Sequence, residues 1–318
     1  MKHEFVVTAA DADRRLDRFV AAALGRVPMS LVRRLLRTKK VRVNGERGRA
    51  DRRLAAGDRV VVHHSPRSKP GPGEQAPRVE YAGPPIPVLA EADDFLFVAK
   101  PAGVACSDDG HDDHALAAWF RSFLRERIES GEARPEPCHR LDRHTTGVVA
   151  VALTAAAFDR FRRALEHEQV RKTYEVVVHG APDHDRFEVD VPLVRIPRPR
   201  ADGPRMVDAR EDTSATAQGA RTRFTVLHRG RDVSLLRAEP LTGRTHQIRA
   251  HCRVAGLPVV GDPRYGDTAR EDHRRGQLLH ARAIALTDGD IPIEVRADWP
   301  PDRARRLREL GLLDDGAA

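Results

Sequence analysis

The chain has 318 residues, 40% hydrophobic and 32% charged, with a net charge of +8. That supports one sizeable core plus a small accessory domain and excludes a disordered or collagen-like chain. Its three cysteines form no CxxC pair, which excludes a disulfide scaffold and leads us to expect a reduced, cytosolic protein.

In chain order, Met1-Lys2-His3-Glu4-Phe5 lacks an apolar stretch, so no signal peptide is expected. Leu16, Phe19, Val20, Ala23 and Leu24 recur at helical spacing and predict an amphipathic helix. Ser30 is expected to cap a second helix, with Leu31, Val32, Leu35 and Leu36 on one side and Arg33, Arg34 and Arg37 on the other. Lys39 and Lys40 extend that basic face. A strand at Val41–Val43, a turn at Asn44-Gly45 and a strand at Arg59–His63 complete a small α/β module over residues 1–63, with its core at 14–63. Residues 14–62 hold 15 Lys and Arg against 4 Asp and Glu, so the rest of the chain is net negative. A helix pair with a basic face can follow a phosphate backbone, or it can simply be solvated. With aromatics at 5%, nucleic-acid contact here would rest on arginine more than on stacking.

Residues 64–87, rich in Pro, Gly and charge, are expected to be a linker. Strands are predicted at Phe95–Ala99, Gly147–Leu153, Lys172–His179, Arg221–His228, Val233–Pro240, Leu278–Leu286 and Ile293–Val295. Helices are predicted at His114–Ile128, from a Thr154 cap to Glu168, and at Thr245–Ala255. The apolar run from Gly147 to Phe158 is too short to span a bilayer. Pro301 opens a terminal helix and tail over 301–318. The expectation for 88–300 is an α+β domain around a mixed, largely antiparallel sheet with flanking helices.

Two clusters could carry chemistry. His139-Arg140-Leu141-Asp142-Arg143-His144-Thr145-Thr146 places acid, base and hydroxyl groups just before an apolar strand. A carboxylate between two arginines is expected to stay ionised, ready for nucleophilic attack or proton abstraction. By itself such a loop reads as structural rather than catalytic, since charged loops at strand starts are ordinary. The second cluster, Thr242-Gly243-Arg244-Thr245-His246-Gln247-Ile248-Arg249-Ala250-His251, puts His246, Arg249 and Arg253 on one helix face. Arg249 could pair with Asp142 if the two segments meet, which spacing cannot show.

His139 to Gly147 resembles the HRLDxxTSG signature of the RluA-type pseudouridine synthases. Three further blocks are similar in the same order: Asp94 through Lys100-Pro101-Ala102-Gly103, the Lys172-Thr173-Tyr174 strand, and Thr242–His251 followed by Gly261-Asp262-Pro263-Arg264-Tyr265-Gly266. The resemblance spans about residues 90–297, and the N-terminal module resembles an S4 RNA-binding domain. Departures are Thr146 where Ser is usual, Ala99 where Asn is usual, and a loose match over Met206–Arg223.

The resemblance implies an isomerase converting uridine to pseudouridine in RNA, most naturally large-subunit ribosomal RNA. It implies a monomer that needs no cofactor or metal. Asp142 falls on the catalytic aspartate, Arg249 on its arginine partner, and Tyr174 on the tyrosine that packs against the flipped uracil and could remove the C5 proton. Arg140 falls on the arginine that fills the gap left by the flipped base. Ile248, His139 and Arg244 fall among its substrate contacts, and Arg33, Arg34, Arg37, Lys39 and Lys40 on the RNA-binding face. Whether Asp142 attacks C1′ or removes the C2′ proton stays open.

Three other readings compete. One is a non-catalytic S4-type RNA-binding protein with a degenerate synthase domain. Another is a metal-dependent hydrolase using His111, Asp112, Asp113 and His114, or His246 and His251; the last pair, five apart, does not share a helix face. The third, a Cys138 nucleophile beside His139, is disfavoured because adjacent residues rarely face each other.

Overall fold

The computed structural model describes residues 2–24, 29–64, 80–92, 94–106, 113–196, 205–208, 216–266, 276–288 and 291–313. The chain divides into two compact units.

The N-terminal unit contains β1 (Lys2–Val6), α1 (Leu16–Ala23), α2 (Met29–Arg37), β2 (Val41–Val43), β3 (Glu46–Arg47) and β4 (Arg59–His63). The strands form one sheet in the order β1-β4-β2-β3. The helical spacing of the apolar residues is realised directly: Leu16, Phe19 and Val20 of α1 and Val32, Leu35 and Leu36 of α2 enter one core with Val41, Val43, Val60 and Val62. Asn44 and Gly45 both take positive φ, 52° and 86°, which suits the turn of a two-residue hairpin. Ser30 is not a cap. The helix begins at Met29, so Ser30 lies in its first turn. Strand β1 lies outside the expected elements, because its residues are half-buried to exposed and mostly polar.

The second unit contains β5 (Val88–Ala92), β6 (Phe95–Lys100), α3 (Leu116–Phe123), α4 (Arg125–Glu129), β7 (Glu136–Pro137), β8 (Thr146–Ala152), α5 (Ala155–Glu166), β9 (Val170–His179), β10 (Arg186–Asp190), β11 (Leu193–Ile196) and β12 (Arg205–Asp208). It continues with β13 (Arg221–Arg229), β14 (Val233–Pro240), α6 (Gln247–Val254), β15 (Leu279–Asp288), β16 (Ile291–Arg296) and α7 (Pro301–Glu309). Eight strands run in the order β10-β13-β14-β9-β15-β8-β6-β5, with β16 on β15 and β7 on β8; β11 and β12 pair separately. Only β8 and β15 pair in parallel among the described strands of this mixed sheet.

The sheet is covered on both faces. Leu96, Val98, Val149 and Val151 enter a core with α3, while Phe95, Phe97, Val148 and Ala150 enter another with α5. That explains the unbroken apolar run of β8. Thr154 caps α5, its hydroxyl accepting from the Ala157 N–H at 3.2 Å. The single helix expected over 114–128 is two, because Leu124 leaves helical geometry (φ −105°, ψ 24°) while its side chain stays in the core.

The domain limits also shift. Residues 80–87, expected as linker, belong to the second unit, where Ile86 is buried in the core. Residues 65–79 of the expected linker lie outside the described residues. The C-terminal segment is no appendage, since Leu307 of α7 and Leu312 just beyond it pack with Val177, Val233, Leu235 and Val260. Among the described residues no helix is long and apolar enough to cross a membrane.

Candidate active site

The loop between β7 and β8 carries Asp142, and its backbone is held from below. Lys100, fully buried at the end of β6, donates from Nζ to the carbonyls of Pro101 (2.9 Å), Val104 (2.9 Å) and Arg143 (3.0 Å). Burial pulls the Lys100 pKa down to about 8. The Gly103 N–H also donates to the Arg143 carbonyl at 2.9 Å, and the Leu141 N–H donates to Cys106 Sγ at 3.2 Å. On the far side, Gln277 donates to the Thr145 hydroxyl at 2.8 Å. His280 Nε2 donates to the Ala297 carbonyl at 3.0 Å, so its Nδ1 accepts from the Thr146 hydroxyl at 2.8 Å. The hydroxyl that Thr146 shares with Ser is therefore in use.

Helix α6 brings the second cluster to this loop. Arg249 Nη1 donates to Asp142 Oδ2 at 2.7 Å. The same guanidinium donates from Nε and Nη2 to Asp262, at 2.6 and 2.7 Å. Asp262 is fully buried and also accepts the N–H groups of Arg264 (2.9 Å) and Tyr265 (3.1 Å). Burial acts to raise the Asp262 carboxyl, but Arg249 and those two N–H groups hold it below the usual range. Burial likewise opposes the Arg249 charge, and its two carboxylates more than offset this. Asp262 is thus the buried anchor, and Asp142, 18% exposed, is the carboxylate left facing solvent.

A cavity of about 290 Å³ opens over Asp142. Buried Tyr174 and Ile248 form apolar wall, Arg140 and Arg244 line it as exposed residues, and Lys172 reaches it from the same strand as Tyr174. Burial pushes the Tyr174 hydroxyl well above its ordinary pKa and pulls the Lys172 ammonium below its own. Arg244 Nε donates to the Gly219 carbonyl at 2.9 Å. His139 also borders the cavity, but its Nε2 accepts from the Ala150 N–H at 3.1 Å. That fixes the proton on Nδ1, which has no partner among the described residues.

The residues singled out around the cavity therefore come together, although Asp142 and Arg249 lie 107 positions apart. The N-terminal basic residues belong to the other unit: Arg37, Lys39 and Lys40 are exposed, and the side chains of Arg33 and Arg34 lie outside the described residues. There, Arg37, Arg47, Arg49 and Arg52 line a groove of about 940 Å³. Helix α6 starts at Gln247, later than expected, because His246 takes left-handed backbone (φ 54°). His246 and His251 diverge: His246 bonds Tyr265, whereas His251 bonds Thr222 and the Val191 carbonyl. Asp113 and His114 bond each other at 2.8 Å, and His111 and Asp112 lie outside the described residues. Asp262, Tyr265 and Lys100 have no role that spacing alone assigns; their presence in the recurring blocks is the signal that could have found them.

Three imidazoles shielded from water make stability pH-dependent. Burial pushes His139 down to about 3, and His246 and His280 to about 4. Each folded pKa lies below the ordinary value, so the stabilisation is present above about pH 6.5 and is lost as pH falls toward these values. Each such proton contributes about 1.4 kcal/mol per pH unit, so urea unfolding should show a steep fall between about pH 6.5 and pH 4.5. A flat stability profile across that window would contradict it.

The sequence family described as RNA pseudouridylate synthase matches residues 94–253, and the S4 domain matches residues 14–60. The chain belongs to the RNA pseudouridylate synthase family. It is 32% identical to ribosomal large subunit pseudouridine synthase C of Escherichia coli (strain K12), covering 96% of this chain and 95% of that one. It is 30% identical to the uncharacterized RNA pseudouridine synthase YlyB of Bacillus subtilis (strain 168), over 96% and 97% of the two chains. Among solved structures, human RNA pseudouridylate synthase domain containing 1 superposes with a TM-score of 0.57 at 26% identity, covering 73% of this chain and 97% of that one. As an RNA pseudouridine synthase of the RluA type, the chain is an isomerase with an S4 domain at its N-terminus.

Proposed function

We propose that this synthase isomerises uridines in large-subunit ribosomal RNA, with Asp142 as the reacting carboxylate. The observation that carries the proposal is the Asp142–Arg249–Asp262 chain at the floor of a cavity walled by Tyr174 and Ile248. Arg249 holds Oδ2 and leaves Oδ1, the oxygen that either attack at C1′ or removal of the C2′ proton would use. The reaction breaks N1–C1′, turns the base, joins C5 to C1′, and moves one proton from C5 to N1. Atoms and electrons are conserved, so it calls for no redox cofactor.

A stacked uridine must leave its helix to reach Asp142, which costs a few kcal/mol and leaves a gap. Arg140, exposed at the rim, offers a planar guanidinium to fill it. Because Tyr174 stays protonated, its ring is better suited to packing on the base than its hydroxyl is to removing the C5 proton. His139 and Arg244 have partly committed their polar atoms to backbone, so their substrate contact is through the remaining edges.

The ribosomal target rests on the relative from Escherichia coli named for it. Large-subunit RNA fragments carrying tritium at uridine C5 test it: conversion releases the label, and release from transfer RNA alone would overturn the ribosomal assignment. The N-terminal unit supplies affinity in this account. Replacing Arg37, Lys39 and Lys40 with Gln should weaken RNA binding and lower the salt slope by about 2 to 3. An unchanged slope would remove that face from the interface.

A further inference from the structure

His246 joins the site to a second hydrogen-bond chain, one with no part in the steps above. Its Nδ1 lies 3.0 Å from the Tyr265 hydroxyl, whose oxygen accepts the Met206 N–H at 2.8 Å. Its Nε2 lies 3.7 Å from Asp142 Oδ1, the oxygen that Arg249 does not hold. A neutral imidazole carries one ring proton, and a nitrogen facing a carboxylate is where that proton belongs. Nδ1 is then an acceptor, and the Tyr265 O–H donates to it. Left-handed backbone at His246 is tolerated by histidine but is not its preferred state, so the fold holds this placement against a local cost.

We infer that His246 is a positioning residue for Asp142, fixed as its Nε2–H tautomer by the Tyr265 hydroxyl. At 3.7 Å the contact is too long for a hydrogen bond, and a closure of under about 1 Å makes it one. A neutral donor orients Oδ1 without cancelling its charge, whereas an imidazolium would pair with it and blunt it. The charged and titratable groups facing the ring are Asp142 on its loop, Arg249 on α6, and Asp262, Arg264 and Tyr265 after α6. Burial keeps the imidazole neutral, with a pKa of about 4.

The inference rests on Asp142 being the reacting carboxylate, so its test includes that arm. Single-turnover rates on one RNA are measured across pH for the full chain and for Asp142→Asn, His246→Ala, His246→Gln and Tyr265→Phe. His246→Ala should lose about 10²-fold in rate with RNA affinity unchanged, the size expected when a reacting group is misplaced. His246→Gln, which keeps an N–H at that place, should recover most of the loss. Tyr265→Phe removes the hydrogen bond to Nδ1 that favours the neutral ring, so the acid limb of activity should move to higher pH than in the natural chain, while burial still holds it below about 6.5. In the Tyr265→Phe and His246→Gln double variant that limb should vanish, which separates tautomer control from a packing defect. Wild-type rates in His246→Ala, or an acid limb in Tyr265→Phe unshifted from that of the natural chain, would overturn the inference while leaving Asp142 in place. Activity in Asp142→Asn would overturn the reading beneath it.

Discussion

Asp142→Asn should lower the rate of pseudouridine formation by about 10⁴-fold or more, the scale seen when one member of a catalytic constellation is removed. The fold survives, because Arg249 keeps both of its bonds to buried Asp262 and loses only the charge on Asp142. The stability loss should be about 1 kcal/mol, since the amide oxygen still accepts from Arg249 and only the charge-assisted part of that hydrogen bond is lost. RNA affinity should change little, since the basic face lies in the other unit. Rates on a short RNA, a binding titration and a urea melt of the same variant check all three. A slow variant that also fails to bind RNA would mean that Asp142 serves the interface rather than the reaction.

Gly147→Ala is the substitution expected to damage the fold most. Gly147 has φ 114°, and an added Cβ would lie 2.2 Å from the Ala281 carbonyl oxygen and 2.6 Å from its nitrogen. Both are backbone atoms, so no side chain can move aside. Gly147 pairs with Ala281 where β8 runs parallel to β15, and the strands would have to separate. The cost should exceed about 4 kcal/mol, the range reserved for strain that cannot relax. Gly103→Ala is the control: its φ is 86° with nothing within 4 Å, so only the conformational part, about 1 to 2 kcal/mol, should appear. Equal losses in the two variants would show that the close approach to Ala281 is unimportant.

Much of the architecture is legible in the sequence because its periods are strong. The amphipathic helix α1, the Asn44-Gly45 turn and the buried strand β8 each follow from local pattern. Strands β1 and β10 are not legible, since both are edge strands with alternately exposed polar residues whose pairing is decided by partners far away in sequence. Strands β11 and β12 likewise depend on each other. In the site, Asp142, Arg249 and Tyr174 are recognisable by type and motif, but their meeting is not. Asp262 illustrates the rest: its role depends on complete burial against Arg249, which no spacing reveals.

If Asp142 converts a particular uridine in large-subunit ribosomal RNA, the cell's pseudouridine pattern must depend on that one carboxylate. Base-resolution mapping of pseudouridine in total RNA tests it most directly, using cells lacking the gene and cells restored with the natural chain or Asp142→Asn. One or a few large-subunit positions should lose the modification in the deletion and regain it only with the natural chain. Unchanged modification in the deletion, or restoration by Asp142→Asn, would contradict it.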